Sequence, residues 1–455
     1  MRLQDAFNVL RGDVVSFIGA GGKTSALIGL GYELVEDGWR VLATTTTHIK
    51  EDQLKLMPCA LNIATGIEAI SDALTENKFV FLYSEIIDGQ VLGLSSEYIR
   101  QLLDSVDSDV MLIEADYSNG RLLKAPLADE PVIPSDTSLV IPVASLSVLG
   151  KPFNDKYIYN VDAIHDRYGF PKENPIKSPW LAQVLRDEEL GLCGVPKDKR
   201  IVAFLNQTPS KGYGRARARL VARLALRKSR LYGVAIGSVR SAEPIHEVRR
   251  PIGAVVLAAG MSTRMGDHKM LLPWTDKHTI IEHIVEQLIK SRIDHITVVT
   301  GHMSKEVKAL VESMGANVVY NRSYKSGEML SSMKVGLQSM PDNIAATLVV
   351  LGDQPRIQPR VIYQVSTTYA RTSSDLIVPS FEMKRGHPML IGRRYWNEIL
   401  NLPRNGMLRH LVDNHRDEIT YLNVNTDSIL RDVDTPDDYR QERIRAGLER
   451  YDPTN

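Results

Sequence analysis

The apolar run Val255-Val256-Leu257-Ala258-Ala259 breaks at once into Gly260-Met261-Ser262-Thr263-Arg264-Met265-Gly266, and Lys269 follows. An uninterrupted apolar stretch of this kind suits a parallel strand buried on both faces, with helices packed on either side. The small residues after it let a backbone approach a ligand that a bulky side chain would hold off. Amide groups freed in such a loop point into space where an anion can sit, and Arg264 and Lys269 add fixed positive charge there. Leu257, Ala258, Ala259, Gly260, Met261 and Ser262 are therefore candidates for holding a triphosphate. The other reading is an ordinary strand-to-helix turn whose two cations face water.

The same grammar occurs near the start. Val14-Val15-Ser16-Phe17-Ile18 leads into Gly19-Ala20-Gly21-Gly22-Lys23-Thr24-Ser25, and a helical pattern follows through Leu27, Leu30 and Leu34. Strand, glycine loop, Lys-Thr and helix is the order of a P-loop. There amides wrap the phosphates, the lysine reaches their outer oxygens and the threonine hydroxyl ligates Mg²⁺. Gly19, Gly21, Gly22, Lys23 and Thr24 are the candidates, with Phe17 standing where the full motif has its first glycine. A glycine-rich turn of purely structural use is the alternative.

Two such units fit a chain of 455 residues, which is too long for one ordinary domain. Residues 241–251 carry two prolines and no sustained pattern, so they are expected to link a unit at 1–240 to one at 252–455. Lys plus Arg and Asp plus Glu both number 55, which leaves no global basic field to favour nucleic acid. Cys59 and Cys193 have no metal-site spacing and fit a reducing compartment. No basic-then-apolar leader and no apolar run of membrane-spanning length stands out, so a cytoplasmic protein without a membrane partner is expected.

Within the first unit, Trp39-Arg40-Val41-Leu42-Ala43 reads as a strand ending in Thr44-Thr45-Thr46-Thr47-His48. Hydroxyls at the C-terminal end of a parallel strand lie where open α/β sheets bind ligands, although β-branched residues also simply suit strands. Asp109-Val110-Met111-Leu112-Ile113-Glu114-Ala115-Asp116 is another buried strand ending in carboxylates. Glu114 and Asp116 are placed for a Walker-B role, holding a metal or its water opposite the loop. Residues 215–230 form a basic helix, expected to show a solvated face more than a partner site.

These motifs resemble the accessory proteins of selenium-dependent molybdenum hydroxylases, the YqeC-like family. The Gly-Gly-Lys-Thr loop, the Thr-Thr-Thr-His segment and the Glu114-Ala115-Asp116…Lys124-Ala125-Pro126…Glu130-Pro131-Val132-Ile133-Pro134 block stand in the family's order. The resemblance implies a nucleotide, ATP or GTP, in this unit and a molybdenum hydroxylase apoprotein as partner. The chain departs from the family pattern at Tyr117-Ser118, where Gly-Ser is usual. Phe204-Leu205-Asn206-Gln207 starts like a base-reading Asn-Lys-x-Asp motif, but Gln207 replaces the lysine and Pro209 the aspartate.

In the second unit, Thr347-Leu348-Val349-Val350-Leu351 is a buried strand ending in Gly352-Asp353-Gln354-Pro355. A carboxylate fixed at a strand tip is a metal-ligand position, since a buried carboxylate needs a partner and Mg²⁺ supplies one. Its alternative is the cap of a following helix. Gly327, Glu328, Ser331 and Ser332 form a plausible ligand loop, with helix capping as the equal alternative. Arg385-Gly386-His387-Pro388 interrupts two short strand-like runs. Near the end stands Asp432-Val433-Asp434-Thr435-Pro436, where Thr435-Pro436 opens the last helix and Asp432 and Asp434 are ligand candidates.

The loop from Leu257 through Lys269 to Leu271, Gly352-Asp353-Gln354-Pro355, Arg385-Gly386-His387-Pro388 and Asp432-Val433-Asp434-Thr435-Pro436, in this order, resemble the molybdenum cofactor cytidylyltransferases, the MocA-like nucleotidyltransferases. The resemblance implies a Rossmann-like, mostly parallel domain in which the phosphate of molybdopterin attacks the α-phosphate of CTP. It implies Arg264 and Lys269 as charge-neutralising residues, Asp353 and Asp434 as Mg²⁺ ligands and catalytic residues, Gly352 as part of the nucleotide site, and His387 and Ser331 as substrate contacts. Related guanylyltransferases carry glycine where Ala259 stands, which favours CTP. The expectation is an α/β chain of two domains, P-loop-like then Rossmann-like, in which a cytidylyltransferase carries a nucleotide-binding accessory unit. Its rivals are a cofactor delivery protein and a nucleotidyltransferase acting on another phosphorylated small molecule.

Overall fold

A computed structural model describes residues 1–227, 229–261, 265, 268–325, 329–372, 374–404 and 406–449. The chain divides into two compact units, Met1–Arg249 and Arg250–Asn455. Both are α/β with mostly parallel sheets.

In the first unit the main strands are β1 (Val14–Gly19), β2 (Val41–Thr45), β3 (Ala60–Asn62), β4 (Phe79–Tyr83), β5 (Val110–Glu114), β6 (Leu139–Ser145), β7 (Arg200–Asn206), β8 (Gly233–Gly237) and β9 (Ile245–Arg249). Their order across the sheet is β9-β8-β7-β6-β1-β5-β2-β4-β3. All pair in parallel except β9, which runs antiparallel on β8. Alternation along β1 sends Val14 and Ile18 into the hydrophobic cluster on one face, and Val15 and Phe17 into that on the other. Burial on both faces is why the strand reads as a continuous apolar run. Phe17 sits mid-strand, fully buried and in register with Ile141 and Glu114. The residue in the place of a motif glycine is thus a core residue, and the loop after β1 shrinks to Ala20-Gly21-Gly22 before the helix Lys23–Glu36.

The expected linker needs correction. Residues 245–249, inside the stretch whose prolines suggested a connector, form β9. Pro244 stands just before the strand, and Pro251 just after it, so neither removes a ladder hydrogen bond. The basic helix is also corrected. It spans Gly212–Ala225, and Arg215 and Arg219 reach Glu247 of β9 at 3.1 and 2.6 Å, with Arg249 joining at 2.7 Å. Glu247 is fully buried, so the anion this face serves belongs to the chain itself.

In the second unit the strands are β10 (Ile252–Ala258), β11 (His295–Thr300), β12 (Asn317–Tyr320), β13 (Ala346–Leu351), β14 (Leu376–Phe381), β15 (Lys384–Arg385), β16 (Met389–Gly392) and β17 (Thr420–Asn423). The order is β12-β11-β10-β13-β16-β14-β15, with β17 alongside β14. β10 is central, flanked in parallel by β11 and β13, and β16 is antiparallel to β13. The helix Ile280–Lys290 opens on a reciprocal cap between Thr279 and Glu282, and the last long helix, Pro436–Arg445, on the same device between Thr435 and Asp438. Among the described residues no helix is long and apolar enough to cross a membrane.

Candidate functional site

In both units the strand entering the loop lies between parallel neighbours, so the loop and the tips of those neighbours meet at the carboxyl edge of the sheet. In the first unit this gathers the end of β1, Glu114 at the end of β5 and Ser145 and Asn206 at the ends of β6 and β7.

Lys23 is 3% exposed and occupies the centre of that gathering. Its Nζ donates to the Gly19 carbonyl at 2.7 Å and to Ser118 Oγ at 3.1 Å. It lies 3.0 Å from Asp116 and 3.5 Å from Glu114. Burial works against the ammonium charge, but the Asp116 and Glu114 carboxylates outweigh it and hold the lysine pKa above its ordinary value. Burial pushes the Glu114 carboxyl up, against Lys23 and the Thr24 hydroxyl that donates to it at 2.7 Å. Lys124 adds a second buried cation, 2.5 Å from Glu130 and 3.4 Å from Asp116.

The glycines here answer first to their own protein. Gly19, Gly21 and Gly22 all have positive φ. A Cβ on Gly19 would meet the Val143 carbonyl at 2.4 Å, one on Gly21 would meet Ser145 at 2.6 Å, and one on Gly22 would meet the Asn206 amide at 2.4 Å. Asn206, which resembled a base-reading residue, instead donates to the Gly21 carbonyl at 2.9 Å and accepts from Val239 N–H. The Gly19 amide donates to Asp116 and the Ala20 amide to Val143. The amides of residues 21–25 find no acceptor among the described residues, and these residues line a cavity of about 330 Å³.

The threonine run contributes little to that cavity. Thr44, Thr45 and Thr46 hydroxyls donate to the carbonyls of Leu82, Glu114 and Val132 at 2.8, 2.8 and 2.7 Å. Hydroxyls committed to backbone are poor metal ligands, so their reading as ligands gives way to a structural one. The next residue, His48, does line the cavity, its ring 4.1 Å from that of Tyr117. Sequence reading passed over this pair because its members lie on separate segments.

In the second unit, Lys269 is 8% exposed and its Nζ lies 2.7 Å from Asp353 and 3.2 Å from Asp434. It also donates to the Val433 carbonyl at 3.3 Å. Two further bonds stitch the carboxylate-bearing loops together. Val433 N–H donates to the Asp353 carbonyl at 2.8 Å, and Gln354 Nε2 to Asp432 at 2.8 Å. Burial raises the Asp432 carboxyl against its bond from Gln354, and neighbouring Asp353 and Asp434 raise it further. Gly352 is required sterically, since a Cβ would lie 2.7 Å from the Leu257 carbonyl.

Leu257, Ala259, Gly260, Ser332, Asp353 and Asp432 line a cavity of about 250 Å³, with Tyr324 and Met329 completing it. Ala258 points into the core as part of β10, and Met261 is exposed. Of the two serines, Ser332 reaches the cavity. Ser331 and Ser332 both accept hydrogen bonds from Asn321 Nδ2, at 2.8 and 3.0 Å. His387 is turned toward Val349, its Nδ1 3.3 Å from that carbonyl, and burial lowers its pKa. Ser262, Arg264, Gly327 and Glu328 lie outside the described residues. Tyr324 and Met329 are cavity residues that the motif reading left unassigned, and Asp432, a ligand candidate beside Asp434, lines the cavity.

The carboxylates of Asp353 and Asp434 converge on one point, held by the Lys269 ammonium. An all-oxygen pair open to additional oxygen donors suits Mg²⁺, which takes one or two carboxylates and completes its shell with phosphates and water. Among the described residues no group of three or more His, Cys, Asp or Glu side chains is disposed to hold a metal ion.

The family model of the YqeC protein matches residues 15–162, and that of the MobA-like NTP transferase domain matches residues 254–419. The uncharacterized protein YqeC of Escherichia coli (strain K12) is 32% identical over 199 residues, 43% of this chain and 77% of that one. The molybdenum cofactor cytidylyltransferase of the same organism is 24% identical over 191 residues, 41% of this chain and 93% of that one. A shorter likeness, 36% over 106 residues, links 23% of this chain to 22% of the bifunctional protein GlmU of Staphylococcus carnosus (strain TM300). The chain belongs to the YqeC family and joins to it a MobA-like NTP transferase domain, which makes it a nucleotidyltransferase.

Proposed function

We propose that the second unit transfers CMP from CTP to molybdopterin and releases pyrophosphate. The observation that carries this reading is Lys269 held between Asp353 and Asp434, with Asp353 lining the same cavity as Ala259 and Gly260. The name of the cytidylyltransferase relative supports the choice of substrates. In the reaction, an oxygen of the molybdopterin phosphate bonds to the α-phosphorus of CTP. The bond from that phosphorus to the bridging oxygen breaks, and its electron pair leaves with pyrophosphate. The attacking phosphate is already an anion, so no strong general base is needed.

Asp353 and Asp434 are the residues that would hold Mg²⁺, which when bound supplies charge neutralisation at the phosphates. Lys269 and Arg264 bind and orient the phosphate chain and neutralise the charge that develops on the leaving group. Ala259 and Gly260 bring backbone close to the nucleotide, and the methyl of Ala259 favours CTP over GTP. The first unit is an accessory domain that binds ATP or GTP through residues 21–25 and serves maturation of a molybdenum hydroxylase, including its selenium-dependent form, in the cytoplasm.

The test incubates the full chain and Mg²⁺ with molybdopterin and each of the four NTPs in turn, following pyrophosphate release. CTP-dependent release is expected, and release with a different NTP alone rejects the cytidylyl assignment. The GlmU likeness supports a second reading, transfer to another phosphorylated small molecule such as a sugar phosphate. Replacing molybdopterin with sugar 1-phosphates in the same assay separates the two.

A further inference from the structure

The cavity of the first unit is lined by two chemically different sets of groups. One is the helix-start residues 21–25 with the buried Lys23. The other is His48 and Tyr117, brought together at a ring separation of 4.1 Å and an interplanar angle of 35°. They come from separate segments. His48 lies on the short strand His48–Lys50 and Tyr117 on the segment leaving β5. The hydroxyl of Tyr117 donates to Asn119 at 3.0 Å, and its ring edge meets Tyr159 at 6.4 Å, which fixes the ring's orientation. Lys50 and Arg121 line the same cavity, so with Lys23 three cations face the carboxylates of Asp52 and Glu114.

This half-buried aromatic pair and the helix-start amides line one cavity. The pair's π-faces offer stacking to any flat ring, while the amides and cations offer an anion its partners. The volume of about 330 Å³ falls in the range of small-molecule sites. An inorganic anion would use the amides and cations alone.

The geometry points to a ligand that carries a phosphate and a planar heteroaromatic ring on one molecule, with the phosphate on residues 21–25 and the ring stacked on the His48–Tyr117 platform. This rests on reading residues 21–25 as a phosphate site, and adds to it the means of holding the ring. Two ligands share that chemistry, a nucleoside phosphate and a phosphorylated pterin such as molybdopterin. Recognition by stacking tolerates either ring. Gln207 and Gln53 also line the cavity. Gln53 is held by Lys50 N–H and by its bond to Thr24, and the Gln207 oxygen accepts from Ser145 and Ser147, so the Gln207 amide N–H groups are the ones left to meet a ring edge.

Hydrogen exchange on the full chain, resolved by peptide, tests both sets of groups at once. ATP, GTP, CTP, molybdopterin and inorganic tripolyphosphate are titrated separately. Tripolyphosphate is expected to protect residues 19–26. At least one ring-bearing ligand is expected to protect residues 47–53 and 116–122 in addition, and to bind about 10-fold more tightly. Tyr117→Ala should remove that 10-fold advantage and leave tripolyphosphate binding unchanged, whereas Tyr117→Phe should keep it. The tightest binder identifies the ring. Protection of residues 19–26 by every ligand with equal affinity, unaffected by Tyr117→Ala, would overturn the platform and spare the phosphate reading. Absence of protection there with all five ligands would overturn both.

Discussion

The two units reach one arrangement by different routes. Each places a lysine, shortly after a glycine-bearing loop, between two carboxylates, Lys23 between Asp116 and Glu114 and Lys269 between Asp353 and Asp434. They differ in access to water. The side chains of Glu114 and Asp116 are 9% and 3% exposed, those of Asp353 and Asp434 25% and 35%. The first cluster is part of the core that holds its unit together, whereas the carboxylates of the second reach water. The glycines divide in the same way. A Cβ on Gly21 would collide with Ser145, while one on Gly260 would meet nothing within 4 Å. Demand for glycine in the first loop comes from the fold. In the second, no neighbour among the described residues makes that demand at Gly260.

The contrast is open to direct attack, starting with the largest effects. Lys23→Met strands two buried carboxylates and should cost the first unit about 3–5 kcal/mol. Lys269→Met, whose partners keep 25% and 35% exposure, should cost less, about 1–2 kcal/mol. Denaturant unfolding of both variants checks this, and equal losses would erase the distinction drawn here. Asp353→Ala should lower nucleotidyl transfer by about 10²–10³-fold with the fold intact by circular dichroism, as loss of one fixed electrostatic group does. Turnover near that of the parent protein would remove Asp353 from the reaction.

Smaller effects sharpen the comparison. Gly21→Ala, forced to a φ of +86° against Ser145, should destabilise by about 1–3 kcal/mol. Gly260→Ala should leave the unfolding midpoint within about 0.5 kcal/mol of the parent while raising KM for the nucleotide. A destabilised Gly260→Ala with normal KM would mean that the second loop, too, is built for packing. Acid should act through His283 of the second unit, whose pKa burial lowers from 6.5 to about 4. Between those values the unfolded chain binds a proton that the folded one refuses. The contribution is therefore complete above pH 6.5 and lost as pH falls toward 4. Calorimetric scans across that window should show a falling midpoint that His283→Gln flattens.

Much of this was legible in the residues themselves. Apolar runs ending in glycine loops announced parallel strands, because a strand buried on both faces carries no alternation. Motif order was enough to bring Asp353, Asp434 and Lys269 together as candidates. The prolines around 244 and 251 misled, since flanking positions cost a sheet nothing and β9 lies between them. Arginines 215 and 219 also misled, because Glu247 sits outside their own helix.

By itself, then, the sequence determined the two α/β units, their order and the identity of the charged residues at their sheet edges. Those follow from local patterns, hydrophobic period and short motifs carried on contiguous residues. Tertiary structure alone decided which carboxylate pair is sealed in and which reaches water, which glycines are claimed by neighbouring backbone, and that His48 meets Tyr117 in the lining of a cavity. Burial and contact between residues 69 positions apart depend on how parallel strands are laid side by side, and no window of sequence contains that information.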